Sequence, residues 1–218
     1  MRAPFQAAIF DMDGLLLDSE RIMRTCFFAE AAALGITVAP GAFEQLIGLN
    51  KRDGQGVIAQ IVGQTLDPAQ FDDAVHARYD AAIATGVPLK PQVARLLAHL
   101  NERAIPIAVA TSTAQARAAR KLAASGIAAH FAHVVSGQDV PRGKPAPDVF
   151  LRAAALLDRE PTRCVAFEDS RTGVAAALAA GMTVVQVPDL VPPADDAAAS
   201  GVIIADDIWD GATAAGLI

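Results

Sequence analysis

The sequence predicts an α/β fold, a doubly wound parallel sheet with an all-helical segment inserted after its first strand. Three observations predict it. Short, continuously apolar runs end in turn residues, as strands covered on both faces do. From residue 88 onward these runs alternate with stretches whose apolar residues recur at helical spacing. Between residues 20 and 87 helical patterns occur without a strand pattern among them. The expected division is a core of residues 1–16 and 88–218 and a helical cap of residues 17–87.

The first strand is the apolar run at residues 7–10, which stops abruptly at Asp11-Met12-Asp13-Gly14. A helix is expected over 20–34, stopped by Gly35. Three shorter helical segments follow at 41–48, 50–63 and 67–85, with Asn50 and Asp67 as N-caps. The core resumes with a helix at 92–104, a strand at 105–110 and a helix at 114–125. Strands at 133–136 and around 163–168, a helix at 149–158 and another at 172–181 come next. Two more apolar runs, at 183–189 and 201–207, complete the sheet.

Composition bounds the rest. With 218 residues, 53% of them hydrophobic and 19% charged, a packed core is expected and disorder is not. A net charge of −6 argues against a general nucleic-acid binder. The chain carries no run of about 18 apolar residues, and acidic residues appear before a signal-peptide core could form. A cytoplasmic protein without a membrane partner is therefore expected, as a monomer or weak dimer. Cys26 and Cys164 lack a CxxC spacing and read as buried free thiols. His76, His99, His130 and His133 are dispersed, which argues against zinc, and Trp209 reads as a packing residue.

In an open parallel sheet, ligands bind beyond the carboxyl ends of the strands. The first strand is followed there by Asp11 and Asp13, the second by Thr111 and Ser112. Lys144 lies in the loop after the third, and the fourth runs into Glu168-Asp169-Ser170. Each feature has an ordinary reading: Asp-x-Asp-Gly as a solvated turn, Thr111 to Thr113 as a helix cap with Thr113 the capping residue, Lys144-Pro145 as a surface loop, Glu168-Asp169 as a complement to a helix dipole. An EF-hand is excluded, because Gly14 is the fourth and Ile22 the twelfth residue of such a loop. Each alone is ordinary, but carboxylates, hydroxyls and a lysine arriving together on one sheet edge from four distant parts of the chain are not.

The motifs DMDG, VATST, GKPAPD and FEDS resemble, in order and spacing, the four motifs of the haloacid dehalogenase superfamily. The likeness is strongest to its branch of β-phosphoglucomutases and sugar-phosphate phosphatases. It covers the whole chain and implies a Rossmann-like core with an inserted cap, moving on hinges near 14–17 and 85–88. It implies Asp11 as a nucleophile forming an aspartyl-phosphate, and Asp13 as general acid and base. Thr111 would offer a hydroxyl, Ser112 a backbone N–H at a helix start, and Lys144 a positive charge to the phosphoryl group. Mg²⁺ would be held by Asp11, the Asp13 backbone carbonyl and Asp169, with Glu168 a further ligand or an outer partner.

In the cap, residues 48–54 match a loop where relatives place a basic residue over the substrate phosphate; Lys51 fits that position with Arg52 adjacent, and the two read equally well as solvated charges in a helix's first turn. Ser19 stands where relatives have threonine, and Met23 where β-phosphoglucomutases have a sugar-binding histidine. The opening FDMDGLLLDSE also looks like that of pseudouridine-5′-phosphate phosphatases, without choosing a substrate. The resemblance thus implies a Mg²⁺-dependent phosphomonoester hydrolase acting on a small phosphorylated metabolite, a sugar phosphate foremost. A phosphosugar isomerase is the alternative, which the methionine disfavours. A dehalogenase is disfavoured because those relatives lack the second aspartate. A receiver-type phosphoacceptor module shares the carboxylates, Mg²⁺, Thr/Ser and Lys, but carries its acceptor after a later strand and lacks an inserted cap.

Overall fold

The computed structural model describes residues 5–47, 49, 51–63 and 66–218, without the side chains of residues 51–53. The sheet has six strands: β1 (Ala7–Phe10), β2 (Ile107–Thr111), β3 (His133–Ser136), β4 (Cys164–Glu168), β5 (Thr183–Gln186) and β6 (Ile203–Ile204). Their order is β3-β2-β1-β4-β5-β6, and every pair is parallel. The direction of winding across the sheet reverses at β1, which places a crevice beyond its carboxyl end.

β1 is buried along its whole length, and its residues feed opposite layers. Ala8 and Phe10 join a core with helices α4 (Val93–Glu102), α5 (Gln115–Ala124) and α8 (Ile208–Ala214). Ala7 and Ile9 join one with α6 (Asp148–Leu156) and α7 (Arg171–Ala179). The Phe10 and Phe167 rings stack with centroids 4.7 Å apart, tying β1 to β4. On α4 the buried face is Val93, Leu96, Leu97 and Leu100, the i, i+3, i+4, i+7 stripe of an amphipathic helix.

The insertion after β1 contributes α1 (Ser19–Ala33), α2 (Lys51–Val62) and α3 (Pro68–Ala82). Asp67 caps α3 as expected: its side chain accepts from the Ala69 N–H at 2.9 Å, and Pro68 takes the first helical position. Buried Phe27 of α1 and Phe71 of α3 meet edge to face, with centroids 5.3 Å apart. The entry and exit of the insertion lie side by side. Asp18 N–H donates to Pro88 O at 2.8 Å and Lys90 N–H to Leu16 O at 3.0 Å. Arg21 and Lys90 both reach Asp189 Oδ1 beyond β5, at 2.7 and 2.6 Å.

Two expectations are corrected. Residues 40–47 form successive turns rather than the helix expected over 41–48; Gly41 sits at φ +83° and the segment is too short to repay helix nucleation. A helix not expected from the pattern, α8, closes the chain. Its start is fixed by Asp207, which accepts from Trp209 N–H and Asp210 N–H, and its Gly211 lies so close to β5 that a Cβ would overlap Val185. Trp209 packs as expected, with the Arg95 guanidinium 3.6 Å above its ring. Cys26 and Cys164 are free and buried. Asn50 lies outside the described residues. Among those described, no helix is long and apolar enough to cross a membrane.

Candidate active site

Phe10 pairs with Val109 on one side and Phe167 on the other, so Asp11, one residue further, emerges between the ends of β2 and β4. Its N–H still bonds Phe167 O at 2.9 Å, which fixes the backbone there. The loop between β3 and α6 returns over this edge and delivers Lys144, whose position is over-determined. Its ammonium donates to Asp11 Oδ1 at 2.5 Å, Glu168 Oε1 at 2.6 Å and Ala110 O at 2.9 Å. All three side chains are buried.

Glu168 is filled by protein donors. Beyond Lys144 on Oε1, its Oε2 accepts from Asp169 N–H, Ser170 N–H and Ser170 Oγ at 3.1–3.2 Å. Asp169 differs: its backbone carbonyl accepts from Gln186, but among the described residues its buried carboxylate receives no hydrogen bond. Burial, with the charges of Asp11 and Glu168 beside it, pushes the Asp169 carboxyl well above its ordinary value. Burial likewise drives Asp11 up to about 8, against the pull of Lys144. Lys144 is pushed up: burial opposes its charge, and the Asp11 and Glu168 carboxylates outweigh that.

Asp11, Glu168 and Asp169 place ligand oxygens within 4.8 Å of one another. Three acids beside one buried lysine cannot all ionise without further positive charge, which is why Asp11 and Asp169 are pushed up. An all-oxygen set with an undonated carboxylate suits a hard divalent cation. Gly14 is required beside it: at φ +83° its Cβ would overlap Asp169 Oδ2.

Asp13 stands apart from that cluster in its bonding. Ser19 Oγ donates to Oδ1 at 2.5 Å, Lys121 Nζ to Oδ1 at 2.7 Å and Thr113 Oγ1 to Oδ2 at 2.6 Å. Burial raises this carboxyl, but the Lys121 charge and the three donors outweigh it and hold it below the ordinary value. Thr113 is therefore not the helix cap expected of it. Its hydroxyl is committed to Asp13, and α5 starts behind Ala114 with no side-chain cap. Thr111 Oγ1 accepts from Thr113 N–H at 3.1 Å, leaving its hydroxyl proton to donate elsewhere. Ser112 was expected at a helix start; it lies instead in an exposed bend, three residues before α5 begins at Gln115.

A cleft of about 770 Å³ joins these groups. Asp11, Asp13, Thr111, Ser112, Lys144 and Asp169 line its core side, and Phe43, Leu46, Ile47, Ile58 and Phe71 line the side of the insertion. Asp13 and Ser19 also border an adjoining pocket of about 110 Å³, with Glu20, Met23, His76, Tyr79, Arg117 and Lys121. The side chains of Lys51 and Arg52 lie outside the described residues. Lys121, Thr113 and Glu20 were not foreseen as site residues. Only Lys121 carried a signal, as a lysine on the buried stripe of α5 beside Ala118 and Leu122.

Residues 5–181 match a family described as haloacid dehalogenase-like hydrolase. Protein CbbY of Rhodobacter capsulatus is 35% identical over 205 residues, covering 89% of this chain and 90% of that protein. A phosphorylated carbohydrates phosphatase of Thermotoga maritima is 29% identical, covering 81% and 82%. The structure of Rhodobacter sphaeroides CbbY with xylulose-1,5-bisphosphate superposes with a TM-score of 0.70 at 29% identity, covering 85% of this chain and 87% of that one.

Proposed function

Because the chain belongs to the haloacid dehalogenase-like hydrolases, we propose that it hydrolyses a phosphomonoester of a small metabolite, a sugar phosphate foremost, through an aspartyl-phosphate at Asp11. The observation that carries this reading is the convergence on one sheet edge of Asp11, Lys144 and an undonated Asp169. A relative named for phosphorylated carbohydrates, and a related structure holding a sugar bisphosphate, support the substrate class.

A phosphate ester repels an anionic nucleophile, so the site must supply positive charge and line up the attack. Lys144, fixed on Asp11 by two further acceptors, supplies a compact charge where the phosphoryl oxygens arrive. Thr111 offers its free hydroxyl proton to a phosphoryl oxygen. An Asp11 oxygen attacks phosphorus as the ester P–O bond breaks, and Asp13 gives its proton to the departing oxygen. Asp13 then takes a proton from water, which attacks phosphorus, breaks the P–O bond to Asp11 and releases inorganic phosphate. Donors on Asp13 favour its anion, the form that accepts the water proton. An incoming phosphate dianion raises the proton affinity of a nearby carboxylate and so equips it for the first step.

Mg²⁺ would be held by the Asp11 and Asp169 carboxylates and, on the family likeness, by the Asp13 backbone carbonyl. Glu168, filled by its four donors, would act as the outer partner that orients Lys144 and Asp169. The ion supplies charge neutralisation for the nucleophile and the phosphate. Residues 17–87 would form the cap over residues 1–16 and 88–218, hinged near 14–17 and 85–88, with the apolar wall of the cleft excluding water.

A phosphate-release screen over sugar phosphates, nucleoside monophosphates, phosphoglycolate and a generic aryl phosphate, with and without Mg²⁺, tests the reading. Mg²⁺-dependent multiple turnover is expected. No release from any ester would overturn it, and a stable phosphoprotein would favour a phosphoacceptor role. Conversion of a hexose 1-phosphate to an isomer with little free phosphate would make it a mutase, against which Met23 beside Asp13 in the small pocket speaks.

A further inference from the structure

Lys121 projects from the core helix α5 and is 5% exposed, on a face otherwise buried through Ala118 and Leu122. An apolar residue there would complete the stripe without stripping an ammonium of water. Asp13 already accepts from Ser19 and Thr113, so packing and simple hydrogen-bond satisfaction leave the lysine unexplained.

We propose that Lys121 is the positioning residue that fixes the Asp13 carboxylate for its two proton transfers, and that the inserted helices cover this ion pair through Tyr79. The inference rests on the phosphomonoester reading given above. Three donors from three places triangulate the carboxylate: Ser19 from α1, Thr113 from the turn after β2 and Lys121 from α5. The lysine supplies the only formal charge among them. Its ammonium lies 4.8 Å from the centre of the Tyr79 ring of α3, where an aromatic face attracts a cation. Tyr79 is itself 1% exposed, and among the described residues its hydroxyl makes no hydrogen bond of ordinary geometry, but it lies near enough to Lys121 to favour the ammonium's charge. The ring therefore closes over the pair without competing for the Asp13 oxygens, and a carboxylate held this way keeps one orientation toward the cleft.

A positioning role makes a specific demand on the substrate. An alkoxide leaving group needs a proton from Asp13, whereas p-nitrophenolate departs without one. The test compares kcat/KM of the whole protein with Mg²⁺ on an alkyl phosphate and on p-nitrophenyl phosphate. Lys121→Met is expected to lose about a hundredfold on the alkyl ester, the scale of a general acid, and far less on the aryl ester. Lys121→Arg should restore part of that loss. Should Lys121→Met fold poorly, Thr113→Val, which frees the other Asp13 oxygen, is expected to show the same ester-selective pattern more weakly. Equal losses on both esters, or none on either, would overturn the proposal. The alkyl ester is the one the wild type hydrolyses fastest in the screen above; a wild-type protein that releases phosphate from no ester of that screen refutes the functional reading itself, a separate and recognisable outcome.

Discussion

Gly173 passes so close to Glu168 that a Cβ at its position would overlap the carboxylate carbon and both oxygens. The glycine sits in the first turn of α7, where its N–H donates to the hydroxyl of the capping Ser170. Ser170 in turn donates to Glu168, so helix start and buried acid form one unit.

Gly173→Ala is therefore expected to displace Glu168 and, through it, Lys144. Overpacking of this kind costs about 1–3 kcal/mol of stability, and phosphate release should fall further than the lost stability explains. Thermal melting and a phosphatase assay on the same preparation check this. A variant with unchanged melting and unchanged activity would show that the packing around Glu168 is looser than described.

Glu20 gives a pH test. Burial, reinforced by the Asp13 charge, raises its carboxyl from the ordinary 4.5 to about 7. Below pH 4.5 the folded and unfolded chains both hold this proton. Between 4.5 and 7 the unfolded chain ionises while the folded one does not, so stability falls as pH rises and levels off above 7. Glu20→Gln removes this dependence. Its melting temperature relative to the wild type, measured with a chelator present, should climb from about pH 4.5 to about pH 7 and then stay flat. A difference independent of pH across that window would rule the assignment out.

Metal binding should be visible without turnover. The folded chain assembles Asp11 and Asp169 and the unfolded chain does not, so a bound cation stabilises the fold. A hundredfold excess of Mg²⁺ over its Kd adds about 2.7 kcal/mol. A thermal shift on Mg²⁺ addition is expected for the wild type and should vanish in Asp169→Asn. An equal shift in both proteins would place the ion elsewhere.

Much of the site was legible because the strands of a parallel sheet end on one edge, so residues after the apolar runs had to meet there. Asp11, Lys144, Glu168 and Asp169 follow from that alone, and the structure does bring them together. Around Asp13 the sequence said less. Thr113 reads as a cap because threonine before a helix usually is one, and only the fold reveals a carboxylate from 100 residues away claiming its hydroxyl. Lys121 is invisible as a partner until α5 is laid beside the first loop. The helix expected over 41–48 failed because composition carries no information about Gly41 adopting a left-handed conformation. The closing helix α8 was hidden by a glycine mid-segment, whose packing reason, contact with Val185, is tertiary.

The most direct measurement is the Mg²⁺-dependent turnover of Asp11→Asn on whichever ester the wild type hydrolyses fastest. The substituted side chain would keep the shape and a contact to Lys144 but has no carboxylate to attack phosphorus. Turnover is expected to fall by at least about a thousandfold, as for loss of a covalent nucleophile, with folding intact by melting. Asp11→Asn hydrolysing its ester at close to the wild-type rate would contradict catalysis through an aspartyl-phosphate at this position.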